Sequence, residues 1–189
     1  MNIYLKDFIL NEEGSFSITK PFESEQLLNI IIDFVDGDIS EMTITDATAC
    51  MGGDTVRLSN NVKHINAVEL SLDNYNLLVE NCKNFKVNNI SFINEDYTKI
   101  YNIIKQDIIY IDPPWGGIGY RNMEDIELKL GEMPISELLS KIKEQKLCKY
   151  VFVKVPVNVC LIGINYSIIR EIVNKVGMPS FKLICINNK

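Results

Sequence analysis

The chain has 189 residues, 47% hydrophobic and 23% charged, which suits one globular domain able to bury about 70% of its unfolded surface. Nineteen Lys and Arg against 25 Asp and Glu leave a net charge of −6. That balance argues against a protein that grips long nucleic acid through its phosphates, and leaves room for one that binds a nucleotide end or a single base.

Residues 1–22 break into short alternating pieces, with a turn expected at Glu13-Gly14 and an extended stretch after it. Pro21 opens a helix with Glu23 and Glu25 in its first turn, where acids suit the dipole. Leu27, Leu28, Ile31, Ile32 and Phe34 or Val35 supply its apolar stripe, and Asp36-Gly37-Asp38 ends it. Met42–Thr48 reads as the first strand. A small-residue loop, Ala49-Cys50-Met51-Gly52-Gly53-Asp54-Thr55, then turns into a helix over Val56–Asn60. Strand, small-residue loop and helix form the nucleotide-binding opening of a doubly wound sheet, although a tight strand-to-helix turn has the same pattern. Val62–Leu70 is the second strand. Glu69 stands about 20 residues past the loop, where an acid either binds ribose hydroxyls or is simply solvated. Ser71 caps the next helix, which carries Tyr75, Leu77, Leu78, Val79 and Cys82. After the strand Ile90–Ile93, Asp96 either caps a short helix over Tyr97–Ile104 or meets an adenine amino group.

Asp107–Asp112 is the fourth strand, and Asp112-Pro113-Pro114-Trp115-Gly116-Gly117 follows it without a gap. Chain leaving a sheet at its carboxyl edge is where open α/β folds place ligands. Pro113 fixes its own φ and biases Asp112 toward an extended conformation, so the loop is stiff. Asp112 can present an acceptor and Trp115 a flat face to one planar ligand. Tyr120 and Arg121 follow shortly. Pro134–Gln145 is an amphipathic helix, Lys149–Val155 the fifth strand, Tyr166–Val176 a further helix and Phe181–Ile186 a last strand.

The cysteines, Cys50, Cys82, Cys148, Cys160 and Cys185, form no CxxC pair, and with His64 as the one histidine no metal is expected. Their scatter fits a reducing compartment, the cytoplasm first and the nucleus second. No signal-peptide pattern and no apolar run near the roughly 18 residues of a membrane span is found, so no membrane partner is expected. A monomer is favoured.

Strands alternating with helices point to a doubly wound, mostly parallel α/β sheet. The small-residue loop, the acids after strands two and three, and Asp-Pro-Pro-Trp after strand four occur in an order that resembles Rossmann-like S-adenosylmethionine-dependent methyltransferases. The Asp112–Gly117 run resembles, within that class, the trimethylguanosine synthase family. Glu13-Gly14-Ser15-Phe16-Ser17-Ile18-Thr19 is similar to that family's Glu-Gly-Trp-Phe-Ser-Val-Thr run. Asp46-Ala47 with Gly52-Gly53-Asp54-Thr55 is similar to its Asp-Ala-Phe-Cys-Gly-Val-Gly-Gly-Asn-Thr loop. The resemblance covers about residues 8 to 125, with a weaker match at Val155-Pro156-Val157-Asn158. Cys50 replaces the first loop glycine and Ser15 the tryptophan. One C-terminal strand stands where the fold carries an antiparallel pair, so a sheet short of one terminal strand is expected.

The resemblance implies transfer of methyl groups to the N2 amino group of 7-methylguanosine at the 5′ cap of RNA. It implies S-adenosylmethionine as cofactor and capped RNA as partner. Residues 1–35 would form an N-terminal extension and helix packing on the cofactor site, and 36–189 the methyltransferase domain. Phe16 and Thr19 would cover the cofactor. Asp46, Thr48, Gly52, Gly53, Glu69, Leu70, Asp96, Tyr97 and Asp112 would hold it. Asp112, Pro113 and Trp115 would carry catalysis: carboxylate and Pro113 carbonyl hold the amino hydrogens, and the indole stacks the cationic base. Asp112, Pro114, Trp115 and Tyr120 would bind the base, with Arg121, Lys154 and Lys20 as candidates for the phosphates. Other readings are a different base-amino methyltransferase (adenine N6, or guanine N2 of ribosomal RNA) and a silent subunit that keeps the pocket. A ribose 2′-O enzyme, suggested by Lys154 alone, fits the Pro-Pro-Trp loop poorly.

Overall fold

The computed structural model describes residues 5–122, 126–160 and 162–189, the side chains of Ile118 and Arg121 excepted. Strands β1 (Thr43–Asp46), β2 (His64–Val68), β3 (Ile90–Ile93), β4 (Ile108–Ile111) and β7 (Tyr150–Val155) run parallel. β9 (Pro179–Asn187) and β8 (Ile168–Val173) complete a seven-stranded sheet in the order β3-β2-β1-β4-β7-β9-β8, each antiparallel to its neighbour. A small hairpin of β5 (Lys129–Leu130) and β6 (Met133–Pro134) stands apart. The winding reverses between β1 and β4, and a crevice outside the carboxyl ends of two such strands is the ligand position of open α/β sheets.

The strands of the central sheet are apolar on both faces because helices cover both. Successive side chains alternate faces. Ile108 and Tyr110 of β4 therefore join Tyr150 and Phe152 of β7 in one core, under α2 (Pro21–Phe34) and α3 (Gly53–Ser59). Ile109, Ile111, Val151, Val153 and Val155 join the other, under α5 (Tyr97–Ile100) and α6 (Ile135–Glu144). Leu27, Leu28 and Ile31 are the buried stripe of α2, and Ile135, Leu138, Leu139 and Ile142 that of α6. α4 (Leu72–Asn84) starts at Ser71, whose hydroxyl accepts from the Asn74 N–H.

Two expectations are corrected. Residues 12–17 are not a turn and extended stretch but a helix, α1 (Glu12–Ser17). Asn11 caps it by accepting from Gly14 N–H at 2.9 Å, with Glu12 and Glu13 in the first turn. Gly14 is there for packing: a Cβ on it would sit 2.5 Å from Met51 Sδ. The helix expected over Tyr166–Val176 is strand β8, so the antiparallel pair is present and the sheet lacks no terminal strand. Ile168, Ile169, Ile172 and Val173 are β-branched and favour a strand. Asn174 closes the hairpin, its side chain accepting from the N–H groups of Val176 and Met178.

Candidate active site

A cleft of about 690 Å³ opens at the switch point. α1 and the segment to Thr19 form one wall, including Phe16 and Thr19; the β1–α3 loop forms the floor, including Asp46, Thr48 and Gly53. Glu69 and Leu70 come from the end of β2, and Asp96 and Tyr97 from the start of α5. Asp112, Pro113, Pro114, Trp115 and Tyr120 arrive from the loop after β4, and Lys154 from β7. Of the expected site residues, Gly52 is not among the walls, and the side chain of Arg121 lies outside those described.

The loop glycines also serve the packing of the fold. Gly52 has φ +92, and a Cβ there would stand 3.1 Å from Leu78 Cδ1 of α4. A Cβ on Gly53 would lie 2.6 Å from Ile18 Cγ1, so Gly53 lets the N-terminal segment lie against the loop. Gly53→Ala is accordingly expected to destabilise by about 1–3 kcal/mol, measured by denaturant titration. An unchanged midpoint would mean that Ile18 yields freely. Cys50 keeps a left-handed turn without glycine, at φ 47. Its N–H donates to Glu69 Oε2 at 2.8 Å, and Ser71 N–H donates to Oε1 at 2.8 Å. Glu69 thus ties the loop to the end of β2, and each oxygen retains one lone pair toward a ligand. Burial pushes the Cys50 thiol up to about 12, so it stays protonated. Asp96 is the cap of α5, its Oδ1 accepting from Thr98 N and Oγ1, while Oδ2 stands 3.7 Å from the Cβ position of Gly131.

A polar network fills the inner end. Thr55 Oγ1 donates to Asp46 Oδ2 at 2.6 Å, and the backbone N–H of Asp112 donates to Thr48 Oγ1 at 2.7 Å. Lys154, expected at a phosphate, is instead 3% exposed, with Nζ 2.6 Å from Asp112 Oδ2 and 2.7 Å from Thr19 Oγ1. Even numbering places it on the β7 face shared by Tyr150 and Phe152, which looks toward α3 and not toward solvent. Thr19 and Tyr110 both donate to Asp54 Oδ2, at 2.8 and 2.7 Å. Asp54 Oδ1 is buried with no hydrogen-bond partner among the described residues. Asp54 and Tyr110 were not singled out from sequence, nor were Glu13 and Asn74, whose side chains bond each other at 3.2 Å beside the cleft. An aspartate standing where the related loop has asparagine was the available signal for Asp54.

Trp115 is half-buried, edge-on to Tyr120 at 5.1 Å between ring centroids and 6.3 Å from Phe181. Its Nε1 is buried with no partner among the described residues. Lys154 Nζ stands 5.6 Å from the indole centroid.

Burial dominates the acids here. It lifts Asp46 to about 7 against the pull of the Thr55 hydroxyl. It lifts Asp112 to about 6, with the Lys154 ammonium pulling back. Burial by itself would depress Lys154, but Asp112 and Asp54 outweigh it and its value is raised. Asp112 and Lys154 are both charged at neutral pH. Between the ordinary carboxylate value of 3.8 and about 7, the fold keeps a proton on Asp46 that the unfolded chain has lost. Stability therefore falls as pH rises through that window and levels off above it. Asp112 and Glu69, both raised, act in the same direction. The ligand-free protein is expected to melt higher at about pH 5.5 than at about pH 8; a melting temperature that climbed across that interval would contradict this assignment.

The cleft is rich in acceptors and has one orphaned carboxylate oxygen, a donor set that suits a ligand with cationic centres, hydroxyls and an amino group. S-adenosylmethionine carries a sulfonium, an α-ammonium, ribose hydroxyls and an adenine amine, and the residues present fit it. Solved structures share the fold. A candidate methyltransferase from Porphyromonas gingivalis matches with TM-score 0.71 and 14% identity, over 96% of this chain and 44% of that one. This chain thus spans less than half the length of that protein. The precorrin-6y C5,15-methyltransferase of Geobacter metallireducens matches with TM-score 0.59 and 12% identity, over 97% of this chain and 94% of that one. An uncharacterized protein of Acanthamoeba polyphaga mimivirus is 29% identical over 176 residues, 82% of this chain and 69% of that one. The profile of RNA cap guanine-N2 methyltransferases matches residues 41–189, so the chain belongs to that family of S-adenosylmethionine-dependent methyltransferases.

Proposed function

We propose that this protein transfers methyl groups from S-adenosylmethionine to the exocyclic N2 amino group of 7-methylguanosine at the 5′ cap of RNA. The observation that carries the reading is the pairing of Asp112 and Trp115 on one wall of the cleft, where the chain leaves β4. When bound, S-adenosylmethionine supplies a methyl group whose S–C bond breaks as the N–C bond forms. The chain supplies alignment and charge. An exocyclic amine has its lone pair delocalised into the ring. Asp112 Oδ1, the oxygen that Lys154 does not hold, can accept an N–H hydrogen, turn the lone pair outward and oppose the positive charge that develops on nitrogen. The same oxygen can take the proton released after transfer. The Trp115 face supports the cationic 7-methylguanine, with a cation–π contribution of about 1–2 kcal/mol when water is excluded. Lys20, exposed ahead of α2, remains a candidate for the cap phosphates.

A second reading, transfer to the amino group of an unmethylated base, is favoured by one observation. The Lys154 ammonium near the Trp115 ring already supplies a cation there. Incubation with labelled S-adenosylmethionine and 7-methyl-GTP, GTP or an adenine-containing oligonucleotide separates the two. Label on 7-methyl-GTP alone is expected, and the product mass counts the methyl groups. Label on GTP or the oligonucleotide would transfer the assignment to the second reading, and no label with intact ligand binding to a silent subunit.

A further inference from the structure

We infer that Lys154 is a positioning residue that holds the Asp112 carboxylate in one orientation and keeps it charged toward the cleft. The inference rests on the reading of Asp112 as the acceptor for the amino group. A lysine 3% exposed needs charged partners, and two carboxylates surround this one. Asp112 Oδ2 lies at 2.6 Å and Asp54 Oδ2 at 3.7 Å, the latter a charge contact and not a hydrogen bond. The Thr19 hydroxyl accepts from Lys154 at 2.7 Å, and its own proton goes to Asp54 Oδ2 at 2.8 Å. Tyr110 donates to that same oxygen. Every proton in the chain Lys154–Thr19–Asp54–Tyr110 thus has one direction. Asp112 is gripped twice, at its backbone by Thr48 from the β1 loop and at Oδ2 by Lys154 from β7. Oδ1 is the oxygen left for the cleft.

Charge follows from the same arrangement. Asp112 feels the carboxylates of Asp46 and Asp54, the neutral Tyr110 hydroxyl and the protonated Cys50 thiol, and the Glu23 carboxylate of α2 also acts on Lys154. The one cation among these groups is Lys154. Without it, the Asp112 titration would move up toward neutral pH, and a protonated carboxyl donates where the reaction needs an acceptor.

Lys154→Met removes the charge and retains most of the volume. The protein labelled with ¹³C at aspartate carboxyls reports the Asp112 titration directly, the resonance being assigned with Asp112→Asn. In Lys154→Met the Asp112 midpoint is expected to rise by about one unit or more. The acid limb of kcat for 7-methyl-GTP should move with it, an about fivefold or greater loss near pH 6 that shrinks as pH rises. A purely structural lysine would lower kcat equally at all pH values and leave the midpoint in place, which would overturn the inference. If Lys154→Met fails to fold, Asp54→Asn and Asp54→Asn/Lys154→Met form a second pair with fewer buried carboxylates, and the same rise between them is required. A wild-type protein that methylates none of the acceptors would sink the proposed reaction. The carboxyl titration would still decide whether Lys154 controls Asp112.

Discussion

Asp112→Ala is expected to lower turnover by about 10²–10³-fold while S-adenosylmethionine affinity changes by less than about threefold. The carboxylate is a quarter exposed, its open side is on the cleft, and its neighbour along the chain is the Pro-Pro-Trp segment rather than the β2 and α5 acids. An acceptor that matters as charge develops on nitrogen lowers the barrier without strengthening ground-state binding of the cofactor. The substitution also takes from the buried Lys154 ammonium the nearer of its two carboxylates, leaving Asp54 at 3.7 Å, at a cost of about 3–5 kcal/mol of stability. Asp112→Asn is therefore the companion variant, since it keeps an acceptor oxygen for Lys154. Turnover lost in both, with Asn folding normally, separates chemistry from stability. Calorimetry of cofactor binding is the check on the other side: equal losses in affinity and turnover would move Asp112 into the cofactor site.

Trp115→Ala is expected to cost 7-methyl-GTP about tenfold or more in affinity and to bring its ratio to GTP close to unity. The ratio matters more than the loss, because only the cationic base gains from the ring's quadrupole. The indole also packs against Tyr120 and Phe181 and touches the cores on both faces of the sheet. Its removal should lower stability by about 2–4 kcal/mol. Trp115→Phe retains part of the packing with a weaker cation–π face, and should fall between the two in cap preference. Fluorescence titration with both nucleotides reads the result; preference for the methylated base that survived in Trp115→Ala would end the stacking account.

Much of the fold was legible because its signals are local. Pro21 at the first helical position, the i, i+3, i+4 stripe of α6, the Ser71 cap and the apolar run of β4 each act within a few residues. The places where pattern and structure part are those where two local signals compete. Ile168 to Val176 carries a helical spacing and β-branched residues at once; pairing with β9 decides for the strand. Glu13-Gly14 has the composition of a turn, but the Asn11 cap and the close seat of Gly14 on Met51 make it helix.

The sequence by itself determined the alternation of strands and helices that makes a doubly wound sheet, the stiff Asp-Pro-Pro-Trp loop after β4, and the acids at the carboxyl edge of the sheet. Those follow from periodicity, from proline's locked φ and from the connection rules of α/β folds, all readable along the chain. Only the tertiary structure decided what Lys154, Asp54, Gly52 and Gly53 do. Lys154 meets Asp112 across 42 residues and Thr19 across 135, and Tyr110 meets Asp54 across 56. No local pattern encodes such pairings. A lysine on a strand reads the same whether its face turns to solvent or to a buried carboxylate, and folding chooses between them by the cost of leaving either charge without a partner.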